Sequence, residues 1–135
     1  MKEITVDAVV NSIPQVTAFI DQELEAAECS MKAQMQLDVA IDEIFGNIAQ
    51  YAYPSAPGTA TVRFSLDEAE RMAEVTFVDA GIPFDPLARS APDVSLSAEE
   101  RQIGGLGIYL VRKTMDAVEY KYEDGHNILT LRKRI

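Results

Sequence analysis

The chain has 135 residues, 47% of them apolar and 25% charged, with a formal net charge of -10. That length fits one domain with a sizeable core, expected to span residues 1–135. The excess of acid excludes a general nucleic-acid binder, which needs a basic face for phosphates.

Cys29 is the single cysteine and His126 the single histidine, so neither an intramolecular disulfide nor a zinc site of Cys and His ligands can be assembled. Met1-Lys-Glu-Ile-Thr-Val lacks the apolar run of a signal peptide. No stretch approaches the roughly 18 apolar residues of a membrane span. The expected location is the cytoplasm, away from membranes.

Ile4 and Val6 alternate with polar residues and predict a short first strand. Ser12-Ile-Pro-Gln15 reads as a capping box with Pro14 in the first helical turn. Val16, Phe19, Ile20 and Leu24 then trace an amphipathic helix to about Glu28. Ser30 is the expected cap of the next helix, which should end near Tyr53 because Pro54 disfavours helix in the residue before it.

Along this second helix Leu37, Ile41, Ile44 and Ile48 form one apolar stripe that must face a core. Glu43 and Asn47 lie one turn apart beside the stripe, while Asp42 points away. A carboxylate and an amide are thus held at the rim of the core, where a ligand could be partly dehydrated. By themselves the two are ordinary helix-surface residues. Gly46, costing about 1 kcal/mol against alanine in mid-helix, hints at a close approach of backbone or ligand there.

Pro54-Ser-Ala-Pro-Gly58 is a turn. Thr59 to Leu66 and Met72 to Val78 follow as an antiparallel hairpin with one buried face, joined by Asp67-Glu-Ala-Glu70. The second strand runs into Asp79-Ala-Gly-Ile-Pro-Phe-Asp-Pro86, where glycine and two prolines stop it. Residues 85 to 103 carry prolines, serines and scattered charges, with a helical turn expected over Leu96-Ser-Ala-Glu-Glu-Arg101. A connection of that length is more often functional than incidental, and a lid over a ligand is the expectation.

Ile103-Gly-Gly-Leu-Gly-Ile-Tyr-Leu-Val-Arg-Lys-Thr-Met115 places glycines before an apolar-rich helix. Backbone N–H groups at such a start can hold phosphate oxygens, helped by the helix dipole. The Rossmann fingerprint would need a third glycine where Leu110 sits, and a P-loop would need one where Arg112 sits; neither fits. Val118 to Tyr122 and Ile128 to Leu131 form a closing hairpin around Glu123-Asp-Gly-His-Asn127, with His126 a turn residue. The basic end Arg132-Lys-Arg134 reads as a solvated strand end.

The order of these signals carries more than any one of them. Glu43-x-x-x-Asn47 on a helix, a hairpin ending in Asp79-x-Gly81, a long loop, and Gly104-Gly-Leu-Gly107 at a helix start together resemble the Bergerat ATP-binding fold of the GHKL superfamily. Within it the chain is most similar to the small bacterial anti-sigma factor serine kinases. The resemblance covers nearly the whole chain, and Asp79 to Pro86 is its most specific segment. It implies an α/β two-layer sandwich: a mixed, mainly antiparallel sheet with about three helices on one face.

The resemblance also implies ATP with Mg²⁺. Asn47 would ligate the metal, Glu43 would be the general base for a protein serine, and Asp79 would accept a hydrogen bond from the adenine amino group. Gly81 would let the backbone pass close to the base, and Gly104, Gly105, Leu106 and Gly107 would cradle phosphates, with Arg101 either reaching them or standing as a solvated charge of the lid. Implied partners are a sigma factor and an anti-anti-sigma protein, bound by a homodimer. The chain departs from the family pattern at three places: Pro83 replaces a second glycine, Gln50-Tyr-Ala-Tyr53 replaces histidine and glycine, and Asn127 stands where a threonine near the adenine is common. Asn127 supplies hydrogen-bonding groups in its place. The alternative reading is a nucleotide-gated binding module without kinase activity.

Overall fold

The computed structural model describes residues 1–88 and 106–135, with the backbone alone for Leu106. The expected lid beyond Ala88, its helical turn ending at Arg101, and Gly104 and Gly105 lie outside the described residues.

Strand β1 (Lys2–Asp7) leads through a 3-10 turn, Val10–Ser12, into helix α1 (Ile13–Ala26). That turn alters the helix start. Ser12 already has helical backbone angles (φ -84°, ψ -12°) and its hydroxyl makes no capping bond, so the expected capping box does not form. A capping side chain works from an extended residue, and the 3-10 entry removes that condition. At the other end Glu28 adopts a left-handed φ of 57°, and the Cys29 N–H donates back to the Leu24 carbonyl at 3.0 Å. This αL closure stops α1 two residues before the position read from sequence.

Ser30 behaves as expected. Extended at ψ 149°, it accepts the Ala33 N–H at 3.1 Å and starts α2 (Met31–Tyr51). Leu37, Ile41 and Ile44 are buried, joined by Phe45; Asp42 is exposed, and Glu43 and Asn47 are half-buried at the rim. A side chain at Gly46 would meet nothing described within 4 Å, so the approach hinted at there is absent among the described residues.

Strands β2 (Thr59–Asp67) and β3 (Met72–Asp79) bury alternate residues: Ala60, Val62 and Phe64 on one, Ala73, Val75 and Phe77 on the other. Helix α3 (Leu106–Thr114) precedes β4 (Ala117–Glu123) and β5 (His126–Arg134). The last two strands are joined by Asp124-Gly125, both left-handed (φ 54° and 78°), which suits a two-residue hairpin turn. The sheet order is β1-β2-β3-β5-β4. Each of its four pairings is antiparallel, so the mixed sheet allowed by the sequence narrows to a wholly antiparallel one.

The helices cover one face. α1 packs on β1 and β2, α2 on β5, and α3 on β4, around a core that runs from Val6 to Leu131. On β5, Arg132 pairs with Glu74 at 2.9 Å and Glu119 at 2.6 Å, and the Lys133 ammonium donates to the Thr114 carbonyl at 2.7 Å. Arg134 lies 3.7 Å from Glu70, so both arginines of the basic end face carboxylates while Lys133 keeps its charge on a backbone carbonyl. No helix among the described residues is long and apolar enough to cross a membrane.

The seam between α1 and α2 holds two carboxyl groups. One oxygen each of Asp21 and Asp38 is buried without a described hydrogen-bond partner. Burial, then the neighbouring Asp21 and Glu25, pushes the Asp38 carboxyl up to about 7 from an ordinary 3.8. Between those values the folded chain binds more protons than the unfolded chain, so stability falls as pH rises. Thermal melts should therefore show a higher Tm at pH 5 than at pH 8, and Asp38→Asn should flatten that difference. An unchanged slope in the variant would assign the pH dependence elsewhere.

Candidate functional site

β3 ends at Asp79, directly opposite Asn127 in the β3–β5 register. They are the buried polar residues among those described, 5% and 6% exposed. Buried polar groups need partners. Asp79 Oδ1 accepts the Gly81 N–H at 2.9 Å and an Asn127 Nδ2–H at 2.9 Å. The first of these closes an Asx-type turn that folds the chain back as soon as the strand stops.

The turn packs against the end of α2. A side chain on Gly81 would overlap the Ala52 carbonyl and Cβ, so glycine is what lets the two backbones meet. The Ile82 N–H donates to the Ala52 carbonyl at 2.9 Å, satisfying a group that a helix end leaves open. Tyr53 adds a second tie: its hydroxyl donates to the Thr59 carbonyl at 2.6 Å and accepts the Ala80 N–H at 2.9 Å. The Tyr51 and Phe84 rings stack above, with centroids 5.1 Å apart.

Asn47 reaches the same place from α2. With Ile44, Asp79, Phe84, Tyr120 and Asn127 it lines a narrow cavity of about 30 Å³. That is room for a water or two. Asn127 is bonded on all sides: its Nδ2 also donates to the Ile82 carbonyl at 2.7 Å, and its Oδ1 accepts the Phe84 N–H at 3.1 Å and the Tyr120 hydroxyl. Burial pushes the Tyr120 hydroxyl above its ordinary value, so it stays protonated as a donor.

Glu43 lies one turn earlier and faces α3. A side chain on Gly107 would overlap the Glu43 carboxyl group, so this glycine admits the carboxylate to the first turn of α3. The positive end of a helix dipole favours an anion there. Leu106 contributes the first backbone unit of that helix. His126 opens β5 with Nδ1 2.9 Å from the Asp124 carbonyl, a turn residue as read from sequence.

Asn47, Asp79 and Asn127 thus share one cavity, Gly81 abuts it, and Glu43 meets Gly107 at its flank. Sequence reasoning passed over Tyr53, Phe84 and Tyr120. For Tyr120 a signal existed: with Val118 it alternates onto the core face of its strand, and a buried tyrosine hydroxyl needs a partner. Tyr53 gave none, since the Thr59 carbonyl lies across an irregular turn and Ala80 on a strand end distant in sequence. Among the described residues no group of three or more His, Cys, Asp or Glu is arranged to hold a metal. A single amide oxygen at Asn47 suits a hard cation such as Mg²⁺ that arrives with phosphate and water ligands of its own.

The model of the histidine kinase-like ATPase domain matches residues 6–133. The serine/threonine-protein kinase BtrW of Bordetella bronchiseptica is 32% identical over 103 residues, covering 76% of this chain and 71% of that protein. The serine-protein kinase RsbW of Bacillus cereus is 33% identical over 97 residues, covering 69% of this chain and 59% of that protein. Among solved structures, the histidine kinase domain of the blue-light activated kinase EL346 from Erythrobacter litoralis matches with a TM-score of 0.51 at 19% identity, over 76% of this chain and 44% of the other. That last likeness is one of fold.

Proposed function

The chain belongs to the family of histidine kinase-like ATPase domains, and from that premise we propose that residues 1–135 act as one ATP-dependent protein serine kinase unit. The observation that carries this reading is the convergence of Asn47, Asp79 and Asn127 on one cavity in a chain whose relatives are named serine-protein kinases.

In this reading Asp79 accepts the adenine amino group, with Gly81 holding the loop beside it against Ala52. Asn47 holds Mg²⁺ through its amide oxygen, and the metal supplies charge neutralisation across the phosphates. The start of α3 at Leu106 and Gly107, with Gly104 and Gly105 before it, cradles phosphate oxygens. Glu43 takes the proton from a serine hydroxyl of a protein substrate. The serine oxygen bonds the γ-phosphorus, the bond from that phosphorus to the bridging oxygen breaks, and ADP leaves.

The partners in this proposal are a sigma factor and an anti-anti-sigma protein carrying the target serine, engaged by a homodimer in the cytoplasm. The net charge of -10 suits docking onto basic surfaces, since charge steers association. A pull-down from native lysate in MgATP and in MgADP, read by mass spectrometry, tests it. Expected are a sigma factor in a nucleotide-dependent complex and a small protein that gains one serine phosphate. Nucleotide-dependent capture without phosphate transfer would leave a binding module in place of a kinase.

A further inference from the structure

Asn127 occupies the point where β5, β4 and the turn after β3 meet, and its amide has no capacity left over. A primary amide has two N–H donors and two lone pairs on oxygen. Here the donors go to Asp79 Oδ1 and the Ile82 carbonyl, and the lone pairs to the Phe84 N–H and the Tyr120 hydroxyl. The orientation of the amide is set by these partners. A backbone N–H can only donate and a backbone carbonyl can only accept, so oxygen must face Phe84 and nitrogen must face Ile82.

We propose that Asn127 is a positioning residue: it locks the turn from Asp79 to Phe84 into its binding shape before any nucleotide arrives, and contacts no nucleotide itself. This rests on the reading of the cavity as an adenine site. Three of its four partners belong to one six-residue stretch, and the fourth, Tyr120, anchors the amide to β4. With Oδ1 of Asp79 shared between Gly81 and Asn127, recognition of an amino group falls to Oδ2. A loop built in advance spares the ligand the entropy of ordering it.

The lock reaches further through the same turn. Ile82 is bonded on both sides, its N–H to Ala52 and its carbonyl to Asn127, so the residue spans from α2 to β5. Ile82 and its neighbours therefore cannot shift without breaking bonds at both ends. Tyr120 bonds Asn127, and its hydroxyl also meets the Phe84 backbone and the field of Asp79, so it braces the same turn from β4.

The test uses the full chain without nucleotide first. Amide exchange followed by NMR should show Gly81, Ile82 and Phe84 protected in wild type, and at least about tenfold less protected in Asn127→Ala, as befits the loss of several buried bonds. Tyr120→Phe removes one donor and leaves the cavity filled; it should give a smaller loss of protection at the same amides, with the fold intact by thermal melt. Calorimetric titration with MgATP should then show both variants weakened in the same rank order as their lost protection.

If Asn127→Ala keeps full loop protection yet loses MgATP affinity, Asn127 is a direct ligand and the proposal fails. Unprotected loop amides in wild type would also overturn it. Absence of MgATP binding by wild type would remove the adenine reading, while the exchange data on the free protein would still decide whether the lock exists.

Discussion

Glu43→Ala is expected to lower phosphoryl transfer to a protein serine by about 10²-fold or more, the usual scale for a lost general base, while MgATP affinity stays within about twofold. The separation follows from position. Glu43 lies a helical turn away from Asn47 and faces α3, whereas the cavity walls are built by Asn47, Asp79 and Asn127. Removing the carboxylate therefore spares Asp79 and Asn47, proposed to hold the base and the metal, and Asn127, proposed to fix the turn that carries Asp79. Single-turnover assays with an anti-anti-sigma substrate, beside calorimetry with MgATP, measure the two effects separately. Gly107→Ala approaches the same contact from the other partner, since its methyl group would displace the carboxylate. Its transfer rate should fall as well. Wild-type transfer by Glu43→Ala would make the carboxylate a structural group that merely caps α3.

Asp79→Asn should weaken adenine-nucleotide binding by about 1–3 kcal/mol, the scale of a lost charge-assisted hydrogen bond with its partner left unpaired. The change is nearly isosteric, so the cavity that Asp79 lines with Phe77 and Ile44 keeps its shape. What changes is hydrogen-bond polarity. Asp79 Oδ1 now accepts two N–H groups, and an asparagine at this place can satisfy them only by turning its own NH₂ toward the cavity. That would set donor against donor at the amino group of the base. Titration calorimetry with MgATP on wild type and variant measures the cost, and equal affinities would remove Asp79 from the site.

The sheet and the central helix were legible because periodicity reports burial directly. Leu37, Ile41 and Ile44 repeat at the helical period, and β2 and β3 alternate cleanly between core and solvent. The chain-order resemblance then pointed to Glu43, Asn47, Asp79 and Asn127 together. Less legible was whatever depends on a neighbour remote in sequence. Gly46, Gly81 and Gly107 look alike as letters, yet only the last two meet another segment among the described residues. Ser12 had the composition of a cap, but the 3-10 turn before it is set by packing against α1 and α2. Tyr53 earns its place through a hydroxyl that accepts the Ala80 N–H, a partner that no local pattern announces.

The register that sets Asp79 against Asn127 also bears on how the protein comes into being. β2 and β3 form one hairpin and β4 and β5 another, each from residues near in sequence. The β3–β5 seam joins the two hairpins across the long segment between them, and closing so large a loop is the slow, entropy-limited event in such topologies. Either hairpin alone holds one half of the Asp79–Asn127 pair. Recovered binding after refolding therefore counts molecules whose seam has closed, because neither hairpin carries the site without the other.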